Sequence, residues 1–258
     1  MKVRKIFLKR RAGVDFVQLG QLSIRIFEFR NSLIVYDKDR RMKMKFQESM
    51  LLLYAVTDRA WTGKQSLYEQ IEAAIKGGAT MIQLREKKLS KEEFLKEAKE
   101  IRALCHTYHI PLIINDDVEI ALASGADGVH VGIEDMPVAE IRKKVGQEFI
   151  IGATAKTVEQ AKMAQEAGAD YLGVGAVFPS PTKTNAIRIS KEQLQAITQA
   201  VSIPVVAIGG INKSNMQELQ NTSIAGVALV SEIFSALDIE TNTRERKEQI
   251  LQVLGKMK

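Results

Sequence analysis

From about Leu51 onward the chain alternates short apolar runs with longer amphipathic stretches, and this alternation limits what it can fold into more than any other feature. Runs opening near Leu51, Thr80, Pro111, Asp127, Phe149, Tyr171, Ile203 and Ala225 have the length and apolar character of buried strands. Between them, residues 66–76, 91–106, 158–166 and 191–200 confine their charges to one side of an apolar stripe, as helices packed on a sheet do. Eight strand–helix units favour closure over an open sheet, so the predicted class is α/β, a TIM-type (β/α)8 barrel. The length of 258 residues suits one such domain, which typically needs about 250.

A short internal echo agrees with the count. Gly78-Ala79-Thr80, Gly125-Ala126-Asp127 and Gly168-Ala169-Asp170 each end a predicted helix and open a predicted strand. Glycine tolerates the left-handed conformation at a helix C-terminus, so the echo is read as loop chemistry of the fold.

The first 48 residues stand outside the pattern. They hold 13 Lys and Arg against 5 Asp and Glu, whereas the remainder holds 24 against 26 and is nearly neutral. Residues 16–20 and 32–36 resemble short strands but sit among cations without a clear period. The expected division is therefore a basic, non-barrel N-terminal extension over 1–48 and a catalytic barrel over 49–258. The extension reads as flexible, or as the product of a start codon upstream of Met42, Met44 or Met50. A basic footprint confined to a tail argues against nucleic-acid recognition by the folded domain. A single cysteine, Cys105, points to a reducing cytoplasm, and no apolar run approaches the roughly 18 residues that span a bilayer.

Barrels of this type place their chemistry where strand C-termini meet the following loops. The second strand ends in Gln83-Leu84-Arg85-Glu86-Lys87, and alternation puts Gln83, Arg85 and Lys87 on one side. Two cations and an amide suit an anion such as a diphosphate; a solvated charge run is the plainer reading. The third strand ends in Ile114-Asn115-Asp116-Asp117, and the segment after the fourth reaches Glu134-Asp135. Carboxylates Asp116 and Asp135 on neighbouring strands would suit magnesium, which takes one or two carboxylates plus phosphate and water. Alternatively Asp116 or Asp117 caps the helix that begins near Val118.

After the sixth strand, Phe178-Pro179-Ser180-Pro181-Thr182-Lys183-Thr184 combines hydroxyls with an ammonium, a set able to hold phosphate oxygens. Ile208-Gly209-Gly210-Ile211 and Leu229-Val230-Ser231 follow strands 7 and 8, the usual phosphate site of these barrels. His106 and His109 fall near a helix end and read as surface or capping residues. His130 is a pocket candidate with no assigned role, and Cys105 lies within a helix.

Taken with Gly128-Val129-His130-Val131-Gly132, these strand-end motifs resemble the thiamine phosphate synthase family in order and spacing, over about residues 51–233. The resemblance implies an enzyme that joins a hydroxymethylpyrimidine diphosphate to a thiazole phosphate, giving thiamine phosphate and pyrophosphate. It assigns Gln83, Arg85, Lys87 and Asn115 to the pyrimidine diphosphate, Asp116 and Asp135 to Mg2+, and Lys183 to the diphosphate. Arg85, Lys87 and Lys183 are then the catalytic cations. Ser180, Pro181, Thr182, Gly210, Val230 and Ser231 would hold the thiazole phosphate. The implied mechanism is dissociative: diphosphate departs, a carbocation forms on the pyrimidine side, and the thiazole nitrogen attacks it. Where the family often has Gly-Val-Ser, this chain has Gly152-Ala153-Thr154, and the reading puts Ala153 in the serine's place, with Thr154 or a backbone amide as substitute. Small molecules are the expected partners, without nucleic acid or membrane, and a homo-oligomer is compatible with the sequence. The competing readings are a thiazole tautomerase of the same barrel family and a noncatalytic phosphate-ligand sensor.

Overall fold

The computed structural model describes residues 15–19, 22–29, 32–37, 44–63, 65–179 and 188–256. The chain divides into two compact units, Met1–Met44 and Lys45–Lys258. In the first, β1 (Asp15–Leu19), β2 (Leu22–Phe29) and β3 (Ser32–Asp37) form an antiparallel sheet in that order.

The second unit is a closed parallel barrel. Its strands are β4 (Leu53–Val56), β5 (Met81–Leu84), β6 (Leu112–Asn115), β7 (Gly128–Val131), β8 (Ile150–Ala155), β9 (Tyr171–Gly175), β10 (Val205–Ile208) and β11 (Gly226–Leu229). Each begins within two residues of its predicted position. Closure comes from β11 pairing with β4, Val227 opposite Leu53.

Helices α1 (Leu67–Gly77), α2 (Lys91–Thr107), α3 (Val118–Ser124), α4 (Val138–Val145), α5 (Val158–Glu166), α6 (Lys191–Ala200), α7 (Ser231–Phe234) and α8 (Ile239–Val253) complete the unit. Their starts are written locally. Ser66 with Glu69 and Ser90 with Glu93 form reciprocal capping boxes, which satisfy backbone donors that α1 and α2 would otherwise leave open. Among the described residues no helix is long and apolar enough to cross a membrane.

Strand alternation separates two apolar cores. Ile82, Leu84, Leu112, Ile114, Val129, Ile151 and Ala153 face outward into the layer shared with the helices. Tyr54, Val56, Met81, Ile113, Ile150, Tyr171 and Val206 fill the lumen, together with Phe46 and Met50 from the segment ahead of β4. The Phe46 ring stacks on Tyr171 with centroids 5.9 Å apart, so packing assigns it to the barrel.

At the N-terminal rim the Gly-Ala echo has a second function. Gly78, Gly125 and Gly168 take positive φ values of 106°, 74° and 96°, which turn the chain out of each helix. The residue two places on then reaches back to the preceding strand. Thr80 Oγ1 accepts from Leu53 N at 2.9 Å, Asp127 Oδ2 from Leu112 N at 2.9 Å, and Asp170 Oδ2 from Ile151 N at 2.7 Å. Arg142 and His106 support the two aspartates, at 2.7 Å and 3.1 Å. This arrangement builds a tied lower rim and leaves the opposite rim to the loops.

Candidate active site

The C-terminal rim gathers polar side chains that alternation turns inward. Along β5, Met81 and Gln83 face the lumen and Ile82 and Leu84 face out, so Arg85 and Lys87 continue the inward series. Gln83 is buried, and its amide donates to Tyr54 Oη at 2.7 Å. From there a polar chain crosses the barrel. Tyr54 Oη meets Tyr171 Oη at 2.8 Å, Tyr171 Oη meets His130 Nδ1 at 3.1 Å, and His130 Nε2 meets Thr154 Oγ1 at 3.1 Å. Burial pushes both tyrosine hydroxyls well above the usual phenol range, which keeps them neutral hydrogen-bonding groups.

Two glycines make room for this chain. A Cβ on Gly152 would lie 2.2 Å from Tyr171 Cζ and 2.4 Å from His130 Nδ1, and one on Gly173 would lie 2.9 Å from His130 Cε1. Gly152→Ala is therefore expected to destabilise the fold by about 1–3 kcal/mol, the usual range for overpacking, and to disturb both rings. Urea unfolding reads the first effect; a loss below about 0.5 kcal/mol would mean that the rings move aside freely.

Above the chain lies a charged group. Lys87 Nζ is 2.5 Å from Asp116 Oδ2, and Arg85 Nη1 is 3.1 Å from Asp58 Oδ2. Asp116 has a φ of 64°, rare for a non-glycine residue. By alternation it would follow Asn115 to the outer side; the left-handed turn instead brings its carboxylate to Lys87. Its neighbour Asp117 caps α3 by accepting from Ile120 N at 2.9 Å, so the capping role considered from sequence falls to Asp117 and not to Asp116.

Asp135 accepts from Gly132 N at 2.7 Å, and its carboxyl lies close enough to that of Asp116 for each to shift the other's proton affinity. Their proton affinities diverge. Burial raises that of Asp116, but Lys87 outweighs it and holds the carboxyl below the ordinary range. For Asp135 burial raises the value, the Gly132 N–H opposes, and the carboxylate of Asp116 adds to the rise. Two carboxyls pressed together in this way are a donor set a hard divalent cation would relieve. Among the described residues there is no group of three or more His, Cys, Asp or Glu side chains fit for a metal, so protein ligation here would rest on this pair.

The other half of the rim is made by β10 and β11. Gly209 and Gly210 take φ values of 96° and 68°. A Cβ on Gly210 would sit 2.3 Å from Pro179 O, so this glycine lets the segment after β9 pass over the end of β10. Val230 packs on the lumen core and Ser231 opens α7. Ser180, Pro181, Thr182 and Lys183 lie outside the described residues.

Residues 53–233 match the family model described as thiamine monophosphate synthase. The chain belongs to that family. A thiamine-phosphate synthase of Ruminiclostridium cellulolyticum is 49% identical over 196 residues, covering 76% of this chain and 93% of the relative. One from Clostridium tetani is 48% identical over 193 residues, covering 75% and 92%. Among solved structures, a thiamine phosphate pyrophosphorylase from Pyrococcus furiosus superimposes with a TM-score of 0.74 at 39% identity, covering 81% of this chain and 99% of that one.

Set against the family's Gly-Val-Ser, the structure corrects one expectation. Ala153 is 4% exposed and packs in the layer between strands and helices, so it cannot line the lumen. Glycine set on glycine, the serine position is Thr154, whose hydroxyl meets His130 in the lumen. Tyr54, Asp58 and Tyr171 were missed from sequence, and Thr154 was named there only as a substitute for Ala153. The signal for Tyr54 was its place two residues before Val56 on a lumen-facing series, and for Tyr171 the small residues Gly152 and Gly173 on neighbouring strands.

The remaining histidines and Cys105 stay out of the site. His106 ties the lower rim, and burial pushes the Cys105 thiol up, away from thiolate chemistry.

Proposed function

We infer that the chain is a thiamine-phosphate synthase, joining 4-amino-2-methyl-5-(diphosphooxymethyl)pyrimidine to 4-methyl-5-(2-phosphoethyl)thiazole or its carboxylate and releasing diphosphate. The observation that carries this is the pairing of Asp116 with Asp135 beside Lys87 and Arg85, directly above the polar chain that starts at Gln83. A tautomerase of the same barrel has no diphosphate to ionise and so no use for that group.

Asp116 and Asp135 would hold Mg2+, which would supply charge neutralisation for a departing diphosphate. Gln83 and Asn115 orient the pyrimidine, and Arg85, Lys87 and Lys183 hold the diphosphate oxygens. Thr154 takes the serine's contact. The carbon–oxygen bond breaks with its electron pair leaving on diphosphate. The lone pair of the thiazole nitrogen then forms the new carbon–nitrogen bond. No strong base is needed, and the protein's contribution is fixed positive charge where negative charge accumulates. Ser180, Pro181, Thr182, Gly210, Val230 and Ser231 receive the thiazole phosphate. Both substrates are small molecules, the compartment is the cytoplasm, and residues 1–48 are given no part in the chemistry.

Pyrophosphate release, measured with both substrates, with each omitted, and with and without magnesium, tests the proposal. Release that needs both substrates and the metal is expected; folded protein that releases none would exclude synthase activity. In the same assay Lys183→Ala is expected to lose more than tenfold in kcat/KM, roughly 1.4 kcal/mol or more of transition-state stabilisation. Unchanged kinetics would remove Lys183 from the mechanism.

A further inference from the structure

Glu86 lies between the two cations assigned to the diphosphate but faces the other way. Its side chain is only 2% exposed, on the helix side of β5. A carboxylate buried there is costly unless it is paired, and Arg59 Nε pairs it at 2.8 Å. The same guanidinium also donates through Nη2 to Glu97 Oε1 on α2. The Glu97 carboxyl is held above its usual range, by burial first, and Glu86 adds to the rise while Arg59 opposes it.

Arg59 opens a short 3-10 turn, Arg59–Trp61, after β4, and Asp58 caps it by accepting from Ala60 N at 2.9 Å. The other oxygen of Asp58 takes Arg85. Consecutive residues 58 and 59 therefore grip consecutive residues 85 and 86 from opposite faces of the strand end. Thr57 closes the frame: its N–H donates to Gln83 O at 2.9 Å, and its hydroxyl accepts from Arg85 N at 2.9 Å. A residue anchored to the helix layer thus lies between two side chains that project over the lumen.

We propose that Glu86, fixed by Arg59 and through it by Glu97, is a positioning residue for the pyrimidine diphosphate, holding the 85–87 backbone so that Arg85 and Lys87 converge on the same anion. The proposal rests on the reading that these two cations hold the diphosphate. Misplacing such groups by about 1 Å can cost two orders of magnitude, so a partial slackening should be measurable.

The test compares Glu86→Gln, Arg59→Met, Arg59→Lys, Glu97→Gln and, as a control, Arg85→Ala. Two readouts are used: calorimetric binding of inorganic pyrophosphate with magnesium, and KM for each substrate separately. Glu86→Gln and Arg59→Met are expected to weaken pyrophosphate and raise KM for the pyrimidine diphosphate about tenfold, with KM for the thiazole phosphate changed less than about twofold. Arg59→Lys should recover part of the loss. Glu97→Gln, at a less buried position, should shift the same constants about threefold and serves if Glu86→Gln does not fold. A parallel rise in both KM values, or no change where Arg85→Ala is impaired, overturns the positioning role. If Arg85→Ala itself leaves pyrophosphate binding intact, the diphosphate site is overturned and the positioning role with it.

Discussion

Asp116→Asn is expected to lower kcat/KM for pyrophosphate release by about a hundredfold or more, near 2.7 kcal/mol, while the protein stays folded. Asparagine is among the few side chains that tolerate positive φ, so the φ of 64° survives the exchange. What goes is the charge that meets Lys87 at 2.5 Å and presses on Asp135. Without it the pair offers one carboxylate instead of two, and Lys87 loses the partner that holds its ammonium over the site. Raising magnesium should recover part of the rate, because the weakened step is metal uptake. Kinetics within threefold of the parent across a magnesium titration would remove Asp116 from metal binding. The melting temperature, measured alongside, separates this from misfolding.

The largest stability effect is expected far from the chemistry. Arg142 is 9% exposed; its Nε and Nη2 donate to Gly168 O, Nη1 to Gly146 O and Phe149 O, and Nη2 also to Asp170 at 2.7 Å. Arg142→Ala leaves three carbonyls and a carboxylate short of donors. Removing one side of such a buried pair typically costs about 3–5 kcal/mol. For a unit of this size that is a fall in Tm on the order of 10 °C. The turnover of the folded fraction at 25 °C should stay at the parent level, since the lower rim holds none of the substrate contacts proposed above. A Tm within about 2 °C of the parent would show that solvent replaces Arg142 at little cost.

The barrel was legible because each βα unit declares itself locally. Strands such as Val205–Ile208 are continuous apolar runs, and Ser66 and Ser90 announce the helices that follow. The charged half of the site was legible for the same reason: Arg85 and Lys87 inherit their direction from Met81 and Gln83 by simple alternation. Asp116 breaks that alternation through its left-handed backbone, and it came to notice only as a carboxylate at a strand end with Asp135 on the neighbouring one. Ala153 went wrong by one place on a strand, which inverts the face completely. The lumen chain from Gln83 to Thr154 was not legible, because it joins residues 24 to 117 positions apart, from His130 with Thr154 to Tyr54 with Tyr171. Nothing local to His130 tells that Gly152 and Gly173 have vacated the space around it.

The back-reaching contacts of Thr80, Asp127 and Asp170 give the barrel a direction in time as well as in space. Amides at or next to the start of β4, β6 and β8, those of Leu53, Leu112 and Ile151, find their side-chain acceptors 27, 15 and 19 residues further along the chain. During synthesis from the N-terminus, each of these strands stays unfinished until the next unit has emerged and turned back. In these three places the arriving unit thus seals the one before it. The last seam, β11 against β4, can join only when nearly the whole chain is present.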